Sequence, residues 1–295
     1  MIEKILVVAD PLGSNQSVVD RAVALARTTQ AELLIVGFVY EHIANLADAA
    51  DDGLQGKVRD KLLAEHRKGI LEKLRGTKGK GTLPKHSVEV HWEKRVADWV
   101  ISAVAKGSFD LVVKRVHRSE TMTYTPTDWQ LLRGCRCSVL LVAEKRWKKS
   151  DNVLAAVDLG TRARSKRALN LKVVTEAHAF AQLMNCQLIV SYALPVSRVL
   201  RDLDIVDEKQ LRRQARARLD EFCRSLEKHD ITVDAQRLVT GAPEKALVNA
   251  AAKSHAGLVV LGCVGRKRLA GRVIGNTAEQ ILRLAKADVL AVKPS

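Results

Sequence analysis

The chain has 295 residues, 47% of them hydrophobic and only 4% aromatic, and carries a formal net charge of +16. That content supplies one large aliphatic core or two domains of about 150 residues, and it excludes a globally disordered chain. So basic a balance favours polyanionic partners (nucleic acid, anionic lipid headgroups or polyanionic metabolites) against the plainer alternative of a basic surface with no such partner.

Lys4 to Ala9 is a β-rich run that ends at Asp10. Val18, Ala22, Leu25 and Ala26 then mark one helical face up to Thr29, and Glu32 to Val39 is a second apolar strand. Strand, helix, strand at this spacing is a βαβ unit. Residues 40–56 are acidic and rich in Ala, and Arg59 to Leu74 has the pattern of an amphipathic helix. The stretch Gly76 to Gly81 is a basic turn. Strands are expected at Ser87–Trp92, Phe109–Lys114 and Ser138–Ala143, with helices at Val96–Ala105 and Trp129–Arg133.

After a charged stretch at 145–151 the pattern restarts. Asn152 to Val157 leads into Asp158 as Lys4 to Ala9 leads into Asp10. Helices are expected at Arg167–Met184, Asp207–Lys228 and Pro243–Lys253, with Pro243 at a tolerated first-turn position. Strands are expected at Gln187–Ala193, Ile231–Leu238, Leu258–Leu261 and Val289–Val292. The later segments pair closely. Thr125 to Leu132 corresponds to Gly275 to Leu282, and Ser138 to Val142 corresponds to Asp288 to Val292. The chain therefore reads as a tandem repeat of one parallel α/β domain, over residues 1–149 and 150–295.

The two halves differ where an α/β sheet presents its strand ends. In the second half Gly262, Gly265 and Gly275 permit close backbone approach, and Asn276 and Thr277 bring donors to a helix start. Asp158 stands at the end of its first strand, where open sheets bind ligands. These six residues are the candidate phosphate or nucleotide site; the alternative is tight turns and a helix cap with no ligand. In the first half Arg115 and Arg118 replace two of the glycines, and Thr125 and Pro126 replace Gly275 and Asn276. Side chains block backbone approach there, and proline lacks the amide. Asp10, Lys114 and Arg115 form the weaker candidate, in which the side chains of Lys114, Arg115, His117 and Arg118 would hold the anion; the alternative is a solvated basic loop.

Nothing in the pattern specifies catalysis. The eight histidines are scattered, and no nucleophile elbow, zinc pair or full phosphate-loop motif is present. Cys135-x-Cys137 has no second pair, so no metal is expected, and five cysteines suit a reducing compartment. The opening residues enter a strand without a signal-peptide layout, and no apolar run approaches the roughly 20 residues of a membrane span. A cytoplasmic protein is the expectation.

The run Gly262, two residues, Gly265, nine residues, Gly275, then Asn276-Thr277 resembles the glycine signature of the universal stress protein family. Asn276 stands where that signature has Ser or Thr. The resemblance covers both repeats and is nearest to the tandem-domain E-type subgroup of Gram-negative bacteria. It implies two domains, each an open five-stranded parallel sheet of order 3-2-1-4-5 with helices on both faces. It assigns adenosine contact to Asp158 and phosphate contact to Gly262, Gly265, Gly275, Asn276 and Thr277. It also implies a stress-response role in binding or signalling with no required cofactor. The ligand would be ATP, another adenosine nucleotide, or a lipid-like amphiphile bearing a phosphate. On that order Val139–Val142 and Val289–Val292 are edges, through which the two domains would pair; a homodimer is a further expectation. The rivals are a slow ATPase using the same site and a polyanion- or membrane-surface-binding protein driven by charge.

Overall fold

The computed structural model describes residues 2–10, 17–41, 52–77, 82–116, 127–143, 147–148, 150–161, 163–196, 207–263, 266–268, 271–273 and 275–294. The chain divides into two compact units, Met1–Glu144 and Lys145–Ser295.

The first unit runs β1 (Lys4–Val8), α1 (Ser17–Thr29), β2 (Glu32–Val39), α2 (Asp52–Arg75), β3 (His86–Trp92), α3 (Val96–Lys106), β4 (Leu111–Arg115), α4 (Thr127–Gly134) and β5 (Ser138–Val142). All strand pairings are parallel: β3 with β2, β2 with β1, β1 with β4, and β4 with β5. Ile5 to Val8 are buried at successive positions. A strand whose side chains alternate faces can do that only if both faces are covered, which is why it reads as a continuous apolar run. Helix α1 forms because Val18, Ala22, Leu25 and Ala26 recur on one face, and all four are buried.

The second unit runs β6 (Asn152–Val157), α5 (Arg164–Met184), β7 (Leu188–Leu194), α6 (Glu208–Leu226), β8 (Ala235–Thr240), α7 (Pro243–Lys253), β9 (Ala256–Gly262), the short strands β10 (Arg266–Arg268) and β11 (Gly271–Val273), α8 (Asn276–Leu284) and β12 (Asp288–Val292). Parallel pairing joins β8 to β7, β7 to β6, β6 to β9, and β9 to β12. Helix α6 opens at Asp207, whose Oδ1 accepts from the Gln210 amide at 3.0 Å. Helix α5 stops at Asn185, which takes the left-handed conformation at φ 50. No helix among the described residues is long and apolar enough to cross a membrane.

Several boundaries differ from the sequence expectation. Helix α2 begins at Asp52, within the stretch expected to be acidic and Ala-rich. The strand expected at Ile231–Leu238 begins at Ala235: a 3₁₀ turn over Glu227–His229 and the left-handed Asp230 (φ 56) put Ile231 into the core outside the sheet. The basic run Arg266–Arg268 is one arm of an antiparallel hairpin whose register sets Arg266 opposite Val273.

Candidate functional site

The site begins with register. In the first unit Arg115 lies opposite Val142, and in the second Gly262 lies opposite Val292. The next residue confirms the match: the Val116 amide donates to Val142 O at 2.9 Å, and the Cys263 amide donates to Val292 O at 2.8 Å. Arg115 and Gly262 therefore hold the same place at the C-terminal end of equivalent strands. By the same register Lys114 corresponds to Leu261, and Asp10 to Asp158.

In the first unit this strand end is filled by internal charge. Asp10 is buried, and Arg115 Nε lies 3.2 Å from its Oδ1. Its Oδ2 has no hydrogen-bond partner among the described residues. Burial pushes the Asp10 carboxyl up from its ordinary value, while Arg115, then Lys114 and Lys73, pull it back. Lys73, reaching in from α2, is pushed down by its own burial. Lys114 Nζ sits 2.7 Å from Oδ1 of Asp128, which is only 2% exposed, and so ties β4 to the first turn of α4. Lys114 and Arg115, the side chains expected to offer themselves to an anion, are thus each engaged by a carboxylate of the protein.

The second unit has none of these pairs at the matching positions. Leu261 and Ala278, which correspond to Lys114 and Asp128, are both buried apolar residues. Asp158 is 58% exposed. Its Oδ1 accepts from the Gly160 amide at 3.2 Å, closing a short turn after β6, and Lys166 Nζ approaches its Oδ2 at 3.3 Å. Its backbone is held from α5 by Asn170: Nδ2 donates to Asp158 O at 2.7 Å, and the Asp158 amide donates to Asn170 Oδ1 at 3.0 Å. Tyr192 stands beside this turn, its hydroxyl 3.3 Å from where a Cβ on Gly160 would lie. Burial raises the Tyr192 phenol, and the Arg218 charge, with a hydrogen bond from the same side chain, counteracts it. Asp158 with Lys166 against it, and the buried Tyr192 with Arg218 beside it, are thus the polar groups around this turn. Sequence reasoning found only the first. Asn170 had one visible signal, an amide on the apolar face of a helix, while Lys166 and Arg218 had none among so many cations.

The glycines divide by role. A Cβ at Gly262 would meet Leu169 Cδ2 at 2.7 Å, so its bare backbone lets α5 pack against the end of β9. Gly275 is the N-cap of α8 in an extended conformation (φ −66, ψ 139), and a Cβ there would meet nothing within 4 Å. The positive φ that would demand glycine is found among the described glycines at Gly241 alone. Gly265 lies outside the described residues, as do His117, Arg118, Thr125 and Pro126 of the first unit. Asn276 opens α8 by its backbone, though its side chain is not among those described, and Thr277 is exposed in the first turn. Amides at the start of such a helix have no partner within it, and the helix dipole favours an anion there. A buried thiol closes the strand end from within: Cys263 is pushed up by burial, with Lys293 Nζ at 3.8 Å from its Sγ.

Comparison with known proteins gives the family of both units. The model of the universal stress protein family matches residues 1–143 and again 149–293. The chain is 29% identical to universal stress protein E of Salmonella typhi, over 100% of its own length and 95% of that protein. It is 28% identical to universal stress protein E of Escherichia coli K12, over the same shares. A functionally unknown protein of Pseudomonas aeruginosa PAO1 matches in structure with a TM-score of 0.67 at 26% identity, covering 99% of this chain and 93% of that one. A universal stress protein from Archaeoglobus fulgidus shares the fold, with a TM-score of 0.65 at 14% identity over 99% and 96% of the two chains. The chain belongs to the universal stress protein family, whose domain it carries twice in tandem.

Proposed function

We propose that this is a cytoplasmic stress-response protein that binds an adenosine nucleotide in its second unit, without a catalytic role, and that its first unit has lost the site. One observation carries the reading. At a single register position the first unit has Arg115 paired with a buried Asp10, and the second has Gly262 beside an exposed Asp158. In the second unit the exposed Asp158 carboxylate, held by the Gly160 amide and Lys166, would turn its remaining lone pairs to a ribose or a base. The phosphate goes to the turn Gly275-Asn276-Thr277, where backbone amides open α8 and no side chain fills the space at Gly275. Gly265 would complete the cradle. Gly262 contributes by letting α5 close on β9 rather than by touching ligand.

Isothermal titration with AMP tests this. One site per chain is expected, weakened by Asp158→Ala and indifferent to Asp10→Ala. Two equal sites, or a site lost with Asp10→Ala, would overturn it.

A further inference from the structure

The excess positive charge has a concave focus that the nucleotide reading does not use. Strand β8 ends the strand order of its unit, pairing only with β7 among the described strands. Helices α6 and α7 both pack on β7 and β8. Between them, over β8, lies a groove of about 470 Å³. Arg212 and Arg216 from α6, Arg237 from β8 and Lys253 from α7 line it, with Gln236 and Asn249 between them and no carboxylate on its wall. All four cations are exposed. Among the described residues Arg212 alone has an ion-pair partner, Glu208 at 3.6 Å, one turn back on α6. The groove adjoins a second cavity of about 590 Å³, with which it shares Thr240, Ala246 and Asn249 and which adds Lys245 and Glu208.

Four cations facing one concavity repel one another, and in an otherwise featureless basic surface they would spread apart. A groove focuses their potential, so a multivalent anion gains from all of them at once. The size is that of a small-molecule site. The wall offers no aromatic ring on which a base could stack, so the recognised chemistry is charge and hydrogen-bond acceptors alone. Arginine forks suit phosphate oxygens in particular. The outer edge of β8 adds backbone amides with no strand to pair them.

We propose that the groove between α6 and α7 over β8 is a second binding site, for a compact, multiply phosphorylated anion held by Arg212, Arg216, Arg237 and Lys253.

The probe is tripolyphosphate, titrated calorimetrically into the full chain at low and at moderate salt. Saturable binding that weakens steeply with salt is expected. Arg216→Ala, Arg237→Ala and Lys253→Ala should each weaken it by roughly tenfold, the value of one charge-assisted contact. A control lacking Lys85, Lys94 and Arg95, three exposed cations of the first unit, carries the same net charge as the triple groove variant and should bind as the parent does. Far-UV circular dichroism and a thermal melt establish that each variant is folded. The triple groove variant should still bind AMP as the parent does, which separates this groove from the nucleotide site. The proposal fails if the triple groove variant binds like the parent, if the first-unit control loses as much, or if tripolyphosphate does not bind while duplex DNA does.

Discussion

Arg115 Nε lies 3.2 Å from Asp10 Oδ1, and this pair closes in the first unit the strand end that Gly262 leaves without a side chain in the second. Asp10 is 9% exposed and Arg115 30%, so the carboxylate bears most of the cost of burial. Its folded pKa is raised above the ordinary 3.8. A raised carboxylate pKa means that the folded state takes up the proton first. Stability on this account falls as pH rises from 3.8 through the folded value, and above that the full cost is present. Arg115→Ala removes the compensating charge and raises the pKa further. The variant should lose roughly 1–3 kcal/mol at neutral pH. Urea unfolding should show the gap to the parent narrowing as the pH is lowered toward the ordinary carboxylate value of 3.8.

Lys114 and Asp128 make the second internal pair, 2.7 Å apart and more deeply buried. Lys114→Leu alone removes the ammonium from the buried Asp128 carboxylate, and a loss of up to about 3 kcal/mol is expected. Adding Asp128→Ala recreates the Leu261 and Ala278 combination of the second unit and should recover most of that loss. A double-mutant cycle by chemical denaturation gives the coupling.

Gly262 and Leu169 are a packing pair. Gly262→Ala drives a Cβ to 2.7 Å from Leu169 Cδ2 and should cost roughly 1–3 kcal/mol. Trimming Leu169→Ala in the same chain makes room, so the two losses should sum to less than their separate values. Thermal melts of the three variants measure this directly.

The division of roles among the glycines also shows where the sequence stops being legible. The tandem repeat, the β-rich runs and the Asp10 and Asp158 strand ends are local patterns, and local patterns can be read. The match of Thr125–Leu132 to Gly275–Leu282 found the two helices α4 and α8 for the same reason. Gly262 looked like a ligand glycine because its neighbours in sequence suggested one. Its contact is with Leu169, a residue far away in the chain, and no spacing rule reports that. Likewise Arg115 and Lys114 read as free cations until the fold brought Asp10 and Asp128 against them. The hairpin of β10 and β11 escaped because strands of three residues, rich in Arg and Lys, carry too little alternation to register as strand. The late start of β8 escaped because Ile231 is as apolar as a strand residue but is buried beside the sheet rather than in it.

Arg115→Gly gives the first unit the second unit's residue at the shared register position. It removes the guanidinium that Asp10 pairs with, leaving Lys114 and Lys73 as the cations that lower its carboxyl. AMP titration of this variant should still report one site, because Thr125 and Pro126 remain where the second unit has Gly275 and Asn276. Adding Arg118→Gly, Thr125→Gly and Pro126→Asn should raise the stoichiometry toward two.

The most direct test is AMP binding to Gly275→Asp at moderate salt. Asp is a favoured N-cap and Gly275 has open space around its Cβ direction, so the fold should be kept, with α8 stabilised by roughly a few tenths of a kcal/mol. The new carboxylate occupies the place assigned to the phosphate. An unchanged or raised melting temperature with AMP binding abolished is the predicted result. AMP binding equal to that of the parent, in a variant shown to be folded, would contradict the assignment of the phosphate to this turn.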